Sequence, residues 1–330
     1  MIALLMTLSI FMTCLLIGSV SIPFKESLPI LKNFLMGQKD NSQYGKILVS
    51  IRLPRVLTTF LMGMALSLSG MTMQSLLKNP LADGSTLGIS AGASLGAVLA
   101  IVSGVSLPLA YFKTSFMLAV VFAFLSLVLI LFFTYQIDPK MNNMTVILTG
   151  IIFSMLVSSA LNLIIVFADD KLKSIIFWTM GSLAGATYAD VGVLFLALIL
   201  AGLMIWMHAT ELNAFAVSEN MARNIGVDVF KTRILLFIAI AILIGIGVAV
   251  AGTIPFVGLI IPHMARMLVG NQHQRLIPAT LFLGGNFMMV ADLIARTIAS
   301  PLELPVGVIT SLVGTLTFFY IFYQRGGRRV

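Results

Sequence analysis

The chain has 330 residues, 59% of them hydrophobic and 10% charged, with a formal net charge of +8. Soluble domains run near about 45–50% apolar and about 25% charged, and too little polar surface is available here to cover so much apolar surface. A soluble enzyme, a nucleic-acid module and a disordered regulator are excluded. The composition predicts a polytopic membrane protein.

A helix crossing the hydrocarbon needs about 20 mostly apolar residues. In chain order such runs fall at 2–24, 56–77, 85–107, 115–135, 144–167, 190–208, 232–252, 256–269, 277–298 and 306–323, and the eighth of them is short. The first has no basic n-region and no small-residue cleavage site, so it reads as a retained helix rather than a signal peptide. Only helices and closed barrels satisfy every backbone group in lipid. The runs are long and lack two-residue alternation, which predicts an all-α fold of ten transmembrane helices in a single domain over 1–330. Between them lie polar connections at 25–55, 136–143, 168–189, 209–231 and 270–276. In the third of these, Trp178 follows an apolar stretch, as in a short helix at head-group depth.

With ten spans both termini share a side. The 20 Lys and Arg divide ten and ten between the two sides, so the positive-inside rule does not orient the chain. The cluster Arg325, Arg328, Arg329 after the last span favours cytoplasmic termini. The basic residues are scattered between apolar runs, which fits lipid head groups and not nucleic acid.

Four features stand out. Gly84, Gly88, Gly92 and Gly96 recur at four-residue spacing in the third span, and Gly63, Ser67 and Gly70 give the second a similar small face. Small residues at this spacing let helix backbones approach closely; lining of a polar path is the other reading. Prolines and glycines interrupt 251–266 (Gly252, Pro255, Gly258, Pro262), and such breaks are tolerated in membranes where freed backbone groups meet protein or water, commonly along a transport path. His263 after Pro262 reads as a satisfied helix-start residue rather than a metal ligand. The connection 212–227 is too polar to span but keeps helical periodicity, with Phe215, Glu219 and Ala222 able to share a face, Arg223 beside them and Gly226 as a stop. It is either a solvated loop or a docking helix for another subunit. Finally, Arg52 and Arg55 precede the second span and Arg296 ends the ninth. Such residues anchor to head groups, or present a positive pair to an acidic partner.

Cys14 cannot form a disulfide within the chain, no Cys/His set has zinc spacing, and no Gly-x-x-x-x-Gly-Lys-Ser/Thr loop cradles a nucleotide. An ion-coupled secondary transporter would need costly intramembrane ionisable groups, of which Asp292 is the main example.

In order and spacing, Arg52-Leu53-Pro54-Arg55, Gly70 to Gln74, Asn79-Pro80-Leu81-Ala82, Gly88, Trp178-Thr179-Met180-Gly181, Phe256 to His263, Ala291-Asp292 and Glu303-Leu304-Pro305-Val306-Gly307 resemble the FecCD family of ABC-importer permeases. These move ferric siderophores, haem and vitamin B12. The resemblance spans about Ile51 to Tyr323. It implies a type II importer permease with ten helices, in the bacterial cytoplasmic membrane, with both termini cytoplasmic. It also implies a second permease subunit, identical or not, a separate ABC ATPase that uses ATP and Mg, and an extracytoplasmic substrate-binding (lipo)protein; the chain itself would bind no cofactor or metal. By the same resemblance, Arg52, Arg55 and Arg296 would dock the binding protein. Phe215, Glu219, Ala222, Arg223 and Gly226 would couple to the ATPase. Asn79, Leu81, Asn143 and Met144 would form an inner gate, although Asn143 and Met144 depart from the hydroxyl pair of the vitamin B12 members. A ferric siderophore is the expected cargo, with haem or vitamin B12 as the alternatives.

Overall fold

The structure, a computed structural model, describes residues 2–18, 22–38, 40, 42–84, 86–105 and 112–326; Arg328 and Arg329 lie outside them. Among these residues every regular element is helical. They are α1 Ile2–Leu16, α2 Phe24–Leu35, α3 Gln43–Leu77, α4 Ile89–Ser103, α5 Thr114–Ile137, α6 Asn143–Val166, α7 Leu172–Thr179, α8 Tyr188–Met207, α9 Ala209–Val217, α10 Glu219–Asn224, α11 Val229–Ala251, α12 Val257–Val269, α13 His273–Thr297 and α14 Val306–Gly326.

Each of the ten apolar runs holds one helix, but the lengths differ. Six helices (α3, α5, α6, α8, α11 and α13) are long and apolar enough to cross a membrane. The apolar helices α1, α4, α12 and α14 are shorter in that respect. At 1.5 Å per residue, the 13 residues of α12 reach about 20 Å against a hydrocarbon core of about 30 Å. Two expectations change at the N-terminal side. The first span stops at Leu16, and the connection 25–55 is mostly helix: α2 follows Pro23, and α3 begins at Gln43 through a π-helical stretch, Lys46–Arg52. Mixed Lys, Ser and Ile residues gave 43–52 no apolar signature, yet Ser42 caps it by accepting from the Gly45 amide at 3.0 Å.

Local chemistry sets the other boundaries. Lys78 in the left-handed region ends α3, and Gly104 in the same region ends α4. Thr187 and Asp190 form a capping box at α8. Ser218 is extended and its side chain accepts from the Met221 amide at 2.9 Å, so the periodic stretch 212–227 is two helices, α9 and α10.

Helix α3 is the axis of the bundle. It packs on α13, α12, α8 and α11, and small residues set those approaches. A Cβ at Gly63 would lie 2.1 Å from the Gly284 carbonyl oxygen, and one at Gly70 would lie 2.0 Å from that of Gly258. The glycine stripe of the third span is only partly realised. Gly92 and Gly96 pack α4 on α5, with Ser126 and the Leu118 carbonyl against them. Gly88 instead precedes α4 with φ +67°, and Gly84 lies in the loop before it, against Ile244. Those two lie outside the helix but are still closely packed, Gly84 on Ile244 and Gly88 on Phe153 and Ile130. Residues 56–77, 89–103, 114–137 and 229–251 supply most of the main core, including Leu68, Met71, Ala93, Ala123 and Leu236.

Two ends can be defined by contacts. At one, Arg52 meets the last carbonyls of α1, and Arg55 meets α13. At the other, Ser75 meets His273 and Arg233 meets Met141.

Candidate functional site

The chain breaks between α11 and α12 at Gly252 and Pro255, as expected, whereas Gly258 and Pro262 lie within α12 and do not interrupt it. Gly252 adopts φ +73°, ψ −166°, a region essentially reserved for glycine, and a Cβ there would lie 2.1 Å from the Trp178 carbonyl oxygen. Thr253 donates to the Thr179 carbonyl, and Phe256 takes φ +70° just before α12. Gln74 of α3 donates to the carbonyls of Gly258 and Leu259 at 3.1 and 3.2 Å, and Arg266 donates to its side-chain oxygen. The freed backbone is therefore partly met by protein, as a membrane interior demands.

The break lines a cavity of about 390 Å³ together with Ser69 of α3, Ser90 and Ser94 of α4, and Ser154 and Ser158 of α6; Asp83 is the acidic residue in its lining. Ser94 and Ser154 donate to carbonyls four residues back, at 2.8 and 2.9 Å. Their hydroxyl protons are used within their own helices. Ser154 and Ser158 also line a neighbouring cavity of about 640 Å³, with Asn79, Leu81, Thr86, Ile147 and Ile151. Two of the four expected gate residues, Asn79 and Leu81, thus share a wall with α6. The other two do not: Met144 is exposed, and the Asn143 side chain turns away to accept from Arg233 at 3.1 Å. A weakly polar wall without a ligand set suits passage rather than tight capture, and the described residues hold no metal-binding group of His, Cys, Asp and Glu. His263 lies in the middle of α12 rather than at a helix start, and lines a further cavity of about 540 Å³ with Lys78, Arg266 and His273.

At the Arg233 end, Phe215 of α9 and Ala222 of α10 are buried in the protein's own core and hold the segment down. Gly226 takes φ +84° with nothing near its missing Cβ, and stops α10. The outward face carries Arg223 with Val217, Met221 and Ile225, three exposed apolar residues that sequence periodicity passed over. Glu219 joins Arg223 at 3.0 Å and Arg233 at 3.3 Å. Burial opposes its charge, but the hydrogen bond from Arg223 and the nearby Arg233 outweigh burial and hold its carboxyl below the usual range.

At the opposite end the three arginines come together, but inside the protein. Arg52, Arg55 and Arg296 are only 5%, 7% and 4% exposed. Arg55 meets Asp292 at 2.9 Å and Glu303 at 2.8 Å. Arg52 donates to the carbonyls of Leu15 and Leu16 at 2.9 Å each, and Arg296 to that of Cys14 at 2.6 Å, with its Nε 3.6 Å from Asp292. The expected docking cations are therefore already used. They close the end of α1 and brace α3 against α13, because a buried guanidinium without counter-charge or acceptor is strongly unfavourable. Sequence reasoning placed them at span ends; Asp292 lies four residues from Arg296, but spacing gave no means of seeing it as the partner of Arg55, more than two hundred positions away.

Residues 4–324 match the FecCD transport family. The uncharacterized ABC transporter permease protein YvrB of Bacillus subtilis is 42% identical over 88% of this chain and 82% of its own. The molybdate import system permease MolB of Haemophilus influenzae is 34% identical over 86% and 83%. A solved structure described as an inward-facing, metal-chelate-type ABC transporter superposes with a TM-score of 0.85 at 30% identity, covering 98% of this chain and 97% of that one.

Proposed function

The chain belongs to the FecCD transport family, and from that premise we propose that it carries a ferric siderophore or related iron chelate inward. It is the membrane-spanning, multi-pass permease subunit of an ABC importer, pairs with a second permease subunit, and leaves ATP hydrolysis to a separate ATPase subunit. What supports the cargo reading is the solved metal-chelate-type transporter, whose fold this chain matches over nearly its whole length. The hydroxyl-lined, break-bounded cavities fit a bulky polar chelate handed on without a binding site of its own. Relatives named for hemin, vitamin B12 and molybdate make those the competing cargoes.

The ten helices that fill the ten apolar runs would make ten passes in each subunit of the pair, with both termini cytoplasmic. The ATPase would then grip α9 and α10 at the Arg233 end, and a substrate-binding protein would dock at the opposite end. There the buried arginines would stiffen the docking surface from beneath, with the half-exposed Glu303 at its rim. Closure of the ATPase pair would rock the permease halves and open the hydroxyl-lined path to one side at a time. A loaded binding protein acts only by favouring one of those states.

The test is uptake into proteoliposomes holding permease, ATPase and binding protein. Radiolabelled ferric chelate should accumulate with ATP, while hemin, cobalamin and molybdate should not. Preferential accumulation of one of the other three would replace the cargo, and accumulation on an ion gradient without ATPase would overturn the importer mechanism.

A further inference from the structure

Arg233 is buried to 2% exposure in the second turn of α11. A buried charge at the start of an apolar run is costly unless paired, and its partners come from three different elements. One terminal nitrogen donates to the Met141 carbonyl; the other reaches the Asn143 side-chain oxygen at 3.1 Å and the Glu219 carboxylate at 3.3 Å. Its Nε is buried without a hydrogen bond among the described residues. Packing alone would be served better by an aliphatic side chain of similar volume.

What lies at each end of this contact gives it a direction. Glu219 divides its two oxygens, one to the exposed Arg223 on the outward face of α10 and one to the buried Arg233. On the far side, Met141 belongs to the loop between α5 and α6 and Asn143 opens α6, and that loop is a closed unit. The Asp138 carboxylate accepts from the Lys140 amide at 3.0 Å and the Asn142 amide at 2.9 Å, and from the side chains of Asn142 at 2.7 Å and Thr145 at 3.3 Å. Met141 is buried and holds φ +50°. The loop passes directly into α6, whose Ile147, Ile151, Ser154 and Ser158 line the path.

We infer that Arg233 is a positioning residue that fastens α10 to the 138–143 loop, so that displacement of the ATPase contact moves α6 and the wall of the path. The inference rests on the reading of α9 and α10 as that contact. A bonded chain between two places is not by itself coupling; coupled displacement is, and it is measurable.

The experiment uses the full permease–ATPase complex in lipid nanodiscs. Spin labels on α10 and on Asn142, each referenced to a label on α8, report displacement on adding MgATP with vanadate. Both should shift in the unmodified protein. In Arg233→Met, α10 should still shift while the Asn142 shift is lost, and Arg233→Lys, which keeps the charge but not the fork, should restore part of it. Ferric-chelate uptake per ATP hydrolysed should fall about tenfold in Arg233→Met, a typical coupling magnitude. An Asn142 label that follows α10 equally in Arg233→Met overturns the inference, as does an unchanged uptake per ATP. If Arg233→Met does not fold, Asn143→Leu and Glu219→Gln are combined instead. Non-additive loss of the Asn142 shift upholds the fastening, and additive loss overturns it. A separate control distinguishes the two readings: cysteine at Met221 should crosslink to the ATPase. Failure of that crosslink sinks the contact itself, whereas a crosslink with no effect of Arg233 sinks only the fastening.

Discussion

The two ends of the bundle each bury arginine against carboxylate, and they do so differently. At the Arg52 end, the cations answer to two carboxylates and three carbonyls drawn from α1, α13 and the turn before α14. Nothing there is shared with an exposed charge except through Glu303 at the rim. At the Arg233 end one carboxylate, Glu219, serves both a buried and an exposed arginine. The first arrangement is a brace, since every contact must break together for it to yield. The second is a junction, since a force on the exposed arginine reaches the buried one through a single side chain. Buried ion pairs therefore serve opposite ends here, and burial alone does not say which.

The contrast can be broken most forcefully at Asp292. Asp292→Ala takes from Arg55 and Arg296 the carboxylate they share, leaving Arg55 with Glu303 and Arg296 with the Cys14 carbonyl, and loss of one buried partner costs about 3–5 kcal/mol; thermal unfolding in detergent should show the drop, with Asp292→Glu recovering part of it. An unchanged midpoint would mean that the brace carries no load. Next in size, Gly70→Ala sets a methyl 2.0 Å from the Gly258 carbonyl oxygen, and overpacking of this kind costs about 1–3 kcal/mol. Disulfide trapping between cysteines on α3 and α12 should become slower. Glu219→Gln is expected to leave folding largely intact, at about 1–2 kcal/mol for a charged hydrogen bond, while uncoupling hydrolysis from uptake.

The same residue sets a pH window. Its folded carboxyl titrates below the ordinary range, so its stabilisation is complete above the unfolded value of about 4.3 and disappears as pH falls through the folded one. Glu219→Gln should flatten the acid limb of the stability profile and leave its slope unchanged from about pH 6 to about pH 8, where carboxylates stay ionised. Smallest of all, Arg223→Ala removes an exposed i,i+4 pair and should shift stability by no more than about 0.5 kcal/mol, though uptake should respond if α10 meets the ATPase. A stability loss as large as that of Asp292→Ala would erase the distinction between the two ends.

Much of the fold was legible. Apolar runs located a helix in each of ten places, and Gly252 with Pro255 located the break. The residues 43–52 escaped because a helix held by tertiary contact needs no apolar periodicity of its own. The glycine stripe was over-extended at its start, since spacing does not reveal that Gly88 holds φ +67°. Asn79 and Leu81 line a cavity, whereas Asn143 is held by an arginine that the sequence shows only as a charge at a span boundary. Arg233 itself carried a readable signal: a cation followed by an unbroken apolar run needs an internal partner. Which partner it takes is a matter of three-dimensional approach, which spacing does not encode.

The meeting of Gly70 with the Gly258 carbonyl has one more consequence. Two backbones in direct touch, with no side chains between them, form a smooth bearing surface. Such a seat offers few interlocking knobs against gliding, and Gln74, which donates to the Gly258 and Leu259 carbonyls, is the side chain that would have to change partners as it glides. Any travel of α12 past α3 is therefore expected to be a slide along the shared seam, of an ångström or so, and not a swing outward.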